Sequence, residues 1–193
     1  MLEDLLLSDE RLILRANTTT TTNSAIWIGS ISWKASSKIN ITLFDSMVTD
    51  TSIDADVLGF VNAPFMSLWD HADFYHPGLM DVIVYILQSM GEPMDKIEKM
   101  HWMPPEFIDF FCSYFLARPI PMNAYLQWLA KVMHFIKTDR KAQNMIWKDS
   151  SYDGDIDPAW AIYRLPFYPM HAFVGERLVQ YFFNSRGLQN NDC

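Results

Sequence analysis

The chain contains little cysteine and little glycine, and each shortage excludes a class of protein. Its 193 residues include two cysteines, Cys112 inside an apolar run and Cys193 at the last position. This count provides neither a disulfide framework nor the cysteine spacing of a metal site, and it favours a reducing compartment. Seven glycines and ten prolines are too few for a fibrous or low-complexity chain.

Cationic side chains are also scarce. Lysine and arginine number 15 against 23 aspartates and glutamates, which gives a formal net charge of −8. A nucleic-acid or anionic-membrane surface requires concentrated positive charge, so we expect neither kind of partner. An anionic substrate would need a local device, such as a bound metal ion, that reverses this field.

Long apolar runs are missing from the first residues. The segment 1–7 is acidic and its longest apolar run has three residues. A signal peptide or a membrane span needs a much longer run, so we expect neither.

What the chain does contain is apolar and aromatic residues, at 50% and 15% of the total. This composition and length predict one domain over 1–187, followed by a tail or linker at 188–193. Alternating β-rich and helical patterns predict an α/β fold. The predicted strands are 25–33, 57–61 and 110–117, the predicted helices are 2–15, 41–48, 78–90, 122–137, 138–148 and 172–184, and 64–77 and 149–158 are predicted as irregular segments.

One Asp-x-Asp pair lies beside a predicted strand. The pattern occurs three times in the chain against about 1.5 expected by chance, so only its context is informative. Asp54 and Asp56 directly precede the predicted strand 57–61. Two carboxylates at a strand end suit Mg²⁺ or Mn²⁺ with a substrate diphosphate in the ion's shell. The alternative is a turn in which Asp54 caps or solvates the chain.

The segment 69–77 concentrates two aspartates, two histidines and three aromatic residues in nine positions. Aromatic faces can stack on a sugar while carboxylates bind its hydroxyls, which makes Trp69 and His76 candidate substrate contacts. Asp70 and Asp73 are candidates for a general base. Two alternatives remain open: a metal-dependent hydrolase that uses residues 70–76, and an ordinary aromatic loop that packs on the core.

The segment 163–178 places His171 just before a predicted helix, with Glu176 and Arg177 in its first turns. A helix N-terminus favours an anion, and a neutral histidine there can bind a metal. The alternative is a surface helix whose Glu176 and Arg177 have no special role.

The order of these segments resembles small nucleotide-sugar glycosyltransferases of the GT-A type, close to those of the large algal viruses called chloroviruses and to bacterial capsule-type transferases. The resemblance covers residues from about 26 to 180. It rests on IWIGSISWK at 26–34, DADVLGF at 54–60, FCSYFLAR at 111–118 with YLQWL at 125–129, and HAFVGERL at 171–178.

The resemblance implies a fold and a set of site residues. The fold would be a single GT-A-like, Rossmann-like domain with a mixed central sheet flanked by helices. Asp54 and Asp56 would hold Mn²⁺ or Mg²⁺ on the donor diphosphate, and His171 would complete the metal shell. The catalytic base would be one of Asp70, Asp73 and Glu176. The residues expected to contact substrate are Asp54, Trp69, His76, Arg164 and Arg177.

The implied activity is transfer of a hexose or deoxyhexose from a nucleoside-diphosphate sugar, a UDP-sugar by preference, to a glycan acceptor hydroxyl. Such an enzyme would act in the cytoplasm, which for a viral protein is the cytoplasm of the host. Only 53 residues precede Asp54, fewer than the family's first βαβ unit needs. Three explanations remain open: the first strand is lost, the chain is truncated at its N-terminus, or the contacts to the nucleotide base come from other segments. The alternative is a non-catalytic module that binds nucleotide sugars or glycans.

Overall fold

A computed structural model describes residues 26–30, 41–50, 53–59, 67–102, 114–152 and 157–186. In these ranges the chain forms three strands and eight helices. The strands are β1 Ile28–Ser30, β2 Val57–Gly59 and β3 Phe115–Ala117. The helices are α1 Ile41–Thr49, α2 Leu68–Tyr75, α3 Leu79–Ser89, α4 Met94–Lys99, α5 Pro119–Thr138, α6 Arg140–Ile146, α7 Asp157–Tyr163 and α8 His171–Ser185.

The three strands form one small sheet in the order β1-β3-β2. Both pairings are antiparallel, and Leu116 of β3 lies opposite Gly29 on one side and Leu58 on the other. Each strand therefore falls inside a segment predicted as a strand. The mixed sheet implied by the resemblance needs parallel neighbours as well, and the described strands supply antiparallel ones only.

The helices predicted from periodicity are confirmed at α1, α3, α5, α6 and α8. The prediction for 64–77 was wrong where the structure describes it, because α2 begins there. Ser67 caps this helix by accepting a hydrogen bond from the backbone N–H of Asp70, an N-terminal signal present in the sequence. The short helices α4 and α7 were not predicted, and the predicted helix 2–15 and tail 188–193 lie outside the described residues.

The two faces of the sheet pack into two different hydrophobic clusters. Phe115 and Ala117 of β3 join the main cluster, which also contains the buried faces of α3, α5 and α8. Leu116 between them points the other way and joins a second cluster with Leu58 of β2 and Met47 of α1. This alternation is the two-residue period of a strand, so the sheet separates the main helical core from α1.

Glu92, which follows α3, connects three parts of the helical core through one half-buried carboxylate. It accepts hydrogen bonds from the indole N–H of Trp128 at 2.7 Å, from the Tyr181 hydroxyl at 3.0 Å and from the Arg186 guanidinium at 3.2 Å. Burial by itself raises the pKa of Glu92, but the hydrogen bonds from Arg186, Trp128 and Tyr181 outweigh it, and the net pKa is lowered. The carboxylate is therefore a charged acceptor that holds α5 and α8 against the end of α3.

We expect Gly29→Ala to destabilise the sheet. A methyl group at this position would lie 2.7 Å from Cδ2 and 2.8 Å from Cα of Leu116, closer than packed atoms approach. The strain should lower the free energy of unfolding by about 1–3 kcal/mol in urea denaturation. The matched control is Gly175→Ala, where a new methyl meets nothing within 4 Å inside α8 and should stabilise the helix by up to about 1 kcal/mol. Equal effects of the two substitutions would contradict the close approach of β1 and β3.

We expect Glu92→Gln to lower the free energy of unfolding by about 1–3 kcal/mol, because the new amide N–H₂ would face other donors. The loss relative to wild type should shrink as the pH falls through the lowered pKa of Glu92, since wild type then also loses its charged acceptor. The control is Glu98→Gln on α4, whose side chain is exposed. A pH-independent difference between wild type and Glu92→Gln would contradict this assignment.

Candidate functional site

Residues from all three strands meet at one end of the sheet. In the antiparallel register Ile28, Val57 and Ala117 lie side by side, so the entry to β1, the entry to β2 and the exit of β3 share this end. Trp27 precedes β1 and Arg118 follows β3. We call Trp27, Asp54, Asp56 and Arg118 the strand-end cluster.

Arg118 connects the members of the strand-end cluster. Its backbone N–H donates to the Asp56 carbonyl at 2.8 Å. Its guanidinium donates to the carbonyl of Ile53 at 2.8 Å and to that of Ala55 at 3.3 Å. The guanidinium carbon also lies 3.8 Å from the centre of the Trp27 ring, a cation–π contact. The segment before β2 is thus fixed by three hydrogen bonds from one residue.

The acidic pair is presented away from the core. Ala55 between the two aspartates is buried in the second hydrophobic cluster, whereas Asp54 is exposed and Asp56 is half-buried. Asp54 and Asp56, on either side of the buried Ala55, are therefore more accessible than the residue between them. A fixed pair of carboxylates next to a guanidinium can take a divalent cation whose remaining ligands are substrate oxygens and water.

His171 is not brought to the acidic pair. Its ring stacks on Trp147, with centres 5.4 Å apart, and meets Tyr163 edge-on at 5.5 Å. Burial lowers the pKa of His171, so the ring is neutral at neutral pH. Among the described residues no three His, Cys, Asp or Glu side chains form a group that could hold a metal ion. The three-ligand set expected from Asp54, Asp56 and His171 is therefore not assembled among the described residues.

A second polar group joins α2 to α8. Arg177 on α8 is only 2% exposed, and its guanidinium lies 2.8 Å from Nδ1 of His71 on α2. Because a guanidinium only donates, this nitrogen accepts, and the ring proton lies on Nε2. Glu176 lies 3.4 Å from the same guanidinium. Burial, and then the charges of Arg177 and His76, lower the pKa of His71 to about 4.

His76, at the end of α2, is buried between rings. It stacks on Phe173 with ring centres 3.6 Å apart, and its Nδ1–H points to the Ser150 carbonyl at 3.4 Å. Burial lowers the pKa of His76 to about 4; the hydrogen bond to Ser150 opposes this shift and the charge of Arg177 adds to it. His76 is therefore neutral, and one ring face is already covered.

The remaining candidates from the segment 69–77 have structural contacts. Trp69 is 0% exposed, and its ring is stacked with that of Tyr181. Its indole N–H donates to the Ile97 carbonyl at 2.7 Å. No face of this ring is therefore accessible to a sugar. Asp70 accepts from the Ser67 hydroxyl at 2.6 Å at the start of α2. Asp73 accepts from the backbone N–H groups of Gly78 and Met80, which caps α3.

Arg164 lies apart from both groups. It follows α7, is exposed, and has a positive φ of 57°, a backbone conformation that a residue with a side chain rarely adopts. None of its described contacts involves the strand-end cluster.

Sequence reasoning missed Arg118 and Trp27. The available signal was positional: Arg118 is the first residue after a strand and is followed by Pro119, which starts α5. Trp27 carries no such signal, because its contact with Arg118 joins segments 91 positions apart.

We expect the free energy of unfolding to fall as the pH drops from about 6.5 to about 4. The folded-state pKa values of His71 and His76 lie below the ordinary histidine value, so the unfolded chain takes up protons first. Urea denaturation at several pH values should show a shallower slope for His71→Gln, which keeps an acceptor for Arg177. His134→Gln on the exposed side of α5 is the control and should keep the wild-type slope. Identical slopes for all three proteins would contradict the buried neutral ring.

The comparisons with known proteins leave the geometry as the main evidence. None of the helices that the structure describes combines the length and the apolar character needed to cross a membrane. Searches against protein-family models, curated proteins and solved structures found no match to this chain.

Proposed function

We propose that the protein is a divalent-cation-dependent glycosyltransferase that moves a hexose or deoxyhexose from a nucleoside-diphosphate sugar to a glycan acceptor hydroxyl. The observation that carries the proposal is the packing of the segments on which the resemblance rests. The first three of them contain β1, β2 and β3, the strands of one sheet.

The helical segments of the resemblance pack on the same sheet. Tyr125 on α5 meets Phe115 of β3 edge-on, with ring centres 6.0 Å apart. Phe183, further along the helix that carries HAFVGERL, lies 5.5 Å from Phe115 and 5.4 Å from Tyr125. Sequence segments separated by up to about 150 positions therefore belong to one packed unit, as expected for parts of one active domain.

The strand-end cluster supplies the chemistry. Asp54 and Asp56 are the residues that would hold Mg²⁺ or Mn²⁺, which would neutralise charge on the departing nucleoside diphosphate. Arg118 keeps the backbone between these carboxylates in one conformation, so that they need little rearrangement when ligand binds. The pair of carboxylates alone would repel a diphosphate, and the cation is what makes the site attractive to it.

Glu176 is the proposed catalytic base. All three carboxylates considered have partners: Asp70 and Asp73 accept hydrogen bonds at the starts of α2 and α3, and Glu176 pairs with Arg177. Glu176 lies beside Arg177, whose fixed position would restrict its carboxylate. An acceptor hydroxyl within hydrogen-bonding distance of Glu176 would lose its proton as the new glycosidic bond forms.

The hydrolase alternative has weaker support. Its three residues are turned to other partners: His71 to Arg177, Asp73 to backbone N–H groups and His76 to Phe173. The binding-module alternative shares the same ligand, and only turnover separates it from the transferase.

The first test is ligand binding and turnover by the full chain. A thermal-shift screen of nucleotide sugars, with Mn²⁺ and with EDTA, should show a stabilising ligand only in the presence of the cation. That ligand, offered with glycan acceptors, should yield nucleoside diphosphate and a longer glycan. Binding without any transfer or hydrolysis would favour the module instead.

We expect Asp56→Asn to lose at least about a hundredfold in transfer rate, because one charged cation ligand is removed. The fold should be retained, as judged by an unchanged circular dichroism spectrum. Asp95→Asn on α4 makes the same change at an exposed position and should keep wild-type activity. Transfer by Asp56→Asn at the wild-type rate would rule out the proposed cation site.

A further inference from the structure

Two buried N–H donors at the strand ends have no acceptor in the part of the chain that the structure describes. Among the described residues none accepts a hydrogen bond from NH1 of Arg118 or from Nε1 of Trp27, although both nitrogens are shielded from solvent. A buried donor without a partner costs about 1–3 kcal/mol, and native proteins rarely leave two together.

The two donors belong to one small region. The guanidinium carbon of Arg118 lies over the Trp27 ring, 3.8 Å from the ring centre. Its other two nitrogens are already used by the carbonyls of Ile53 and Ala55, so NH1 is the part of the guanidinium left for another acceptor.

We propose that Arg118 and Trp27 form an anion subsite that accepts an oxygen of a diphosphate. The Arg118 fork offers a charge-assisted hydrogen bond, and the indole N–H adds a neutral one. The 20-residue helix α5 begins at the residue after Arg118, and its positive end faces the same region. The ligand identity rests on the proposed glycosyltransferase function; the anion subsite does not.

Access to this subsite requires a movement of β1. The strand has three residues, lies at the edge of the sheet, and all of its residues are exposed, so it is held mainly by its pairing with β3 and by the packing of Trp27 on the second hydrophobic cluster. A displacement of β1 moves Trp27 off the guanidinium and uncovers both donors together. An oxygen that enters between them then holds β1 in its new position.

The subsite and the cation site divide the recognition of one ligand. Asp54 and Asp56 need a cation before they attract phosphate oxygens, whereas Arg118 and Trp27 attract them directly. The subsite should therefore bind a diphosphate weakly even when no metal is present, which separates its test from that of the proposed function.

The test measures binding of inorganic pyrophosphate, and separately of UDP, to the full chain in EDTA by calorimetry. Trp27→Phe keeps the ring under Arg118 and removes only the N–H, so we expect its Kd for pyrophosphate to rise about tenfold. Trp160→Phe, at an exposed tryptophan of α7, is the matched control and should bind as wild type does. Any binding of uridine, which has no phosphate, should be the same for wild type and Trp27→Phe.

Arg118→Lys is the second variant, because it keeps the charge and removes the fork. We expect the Kd of this variant for pyrophosphate to rise more than that of Trp27→Phe. Because Arg118 also holds the segment before β2, the stability of Arg118→Lys in urea is measured in parallel. If Trp27→Phe binds pyrophosphate as tightly as wild type, or wild type does not bind it in EDTA, the subsite is refuted. Transfer activity in that case would leave the proposed function standing; pyrophosphate binding without any transfer would refute the function and keep the subsite.

Discussion

The arrangement of the three strands depends on the contacts that the guanidinium of Arg118 makes. Three strands of three residues each have few hydrogen bonds of their own, and Arg118 adds bonds to the segment before β2 and a cation–π contact to the residue before β1. Removing a guanidinium from water is costly unless acceptors replace the lost hydration. The carbonyls of Ile53 and Ala55 accept hydrogen bonds from this guanidinium. The same bonds hold the backbone on both sides of Asp54 and directly before Asp56.

Glu92 performs the corresponding task with the opposite charge in the helical part of the molecule. Its carboxylate accepts hydrogen bonds from Trp128 of α5, from Tyr181 of α8 and from Arg186, the residue after α8. The helices are therefore fixed independently of the strand ends. Because α5 starts directly after β3, a rigid helical core also fixes where Arg118 lies. Arg118 and the acidic pair thus lie at the ends of β3 and β2, whose residues pack in the two hydrophobic clusters, an arrangement that keeps these groups in position.

The sequence predicted the elements better than the site, and particular residues show why. Periodicity identified α3, α5 and α8 because each buries one apolar face, a local property of the chain. Trp69 was predicted to contact a sugar, and Asp73 to act as a general base, because composition cannot distinguish an exposed aromatic segment from a buried one. Trp69 is buried because its N–H finds the Ile97 carbonyl 28 positions away, a pairing that no local pattern encodes. The same limit hid Arg118, whose acceptors lie 63 and 65 positions earlier.

Arg177 and Arg118 differ in which groups their guanidinium ions contact. Arg177 has acceptors inside the protein, since it meets Nδ1 of His71 and the carboxylate of Glu176, and the lowered pKa of His71 keeps that ring neutral. A neutral His71 leaves Arg177 as a fixed charge whose position restrains Glu176. Among the described residues none accepts a hydrogen bond from NH1 of Arg118 or from Nε1 of Trp27. In a chain with a net charge of −8, cationic donors are scarce. The contacts of Arg177 make it a positioning residue, whereas the anion subsite proposed above would give Arg118 a role in recognising a ligand.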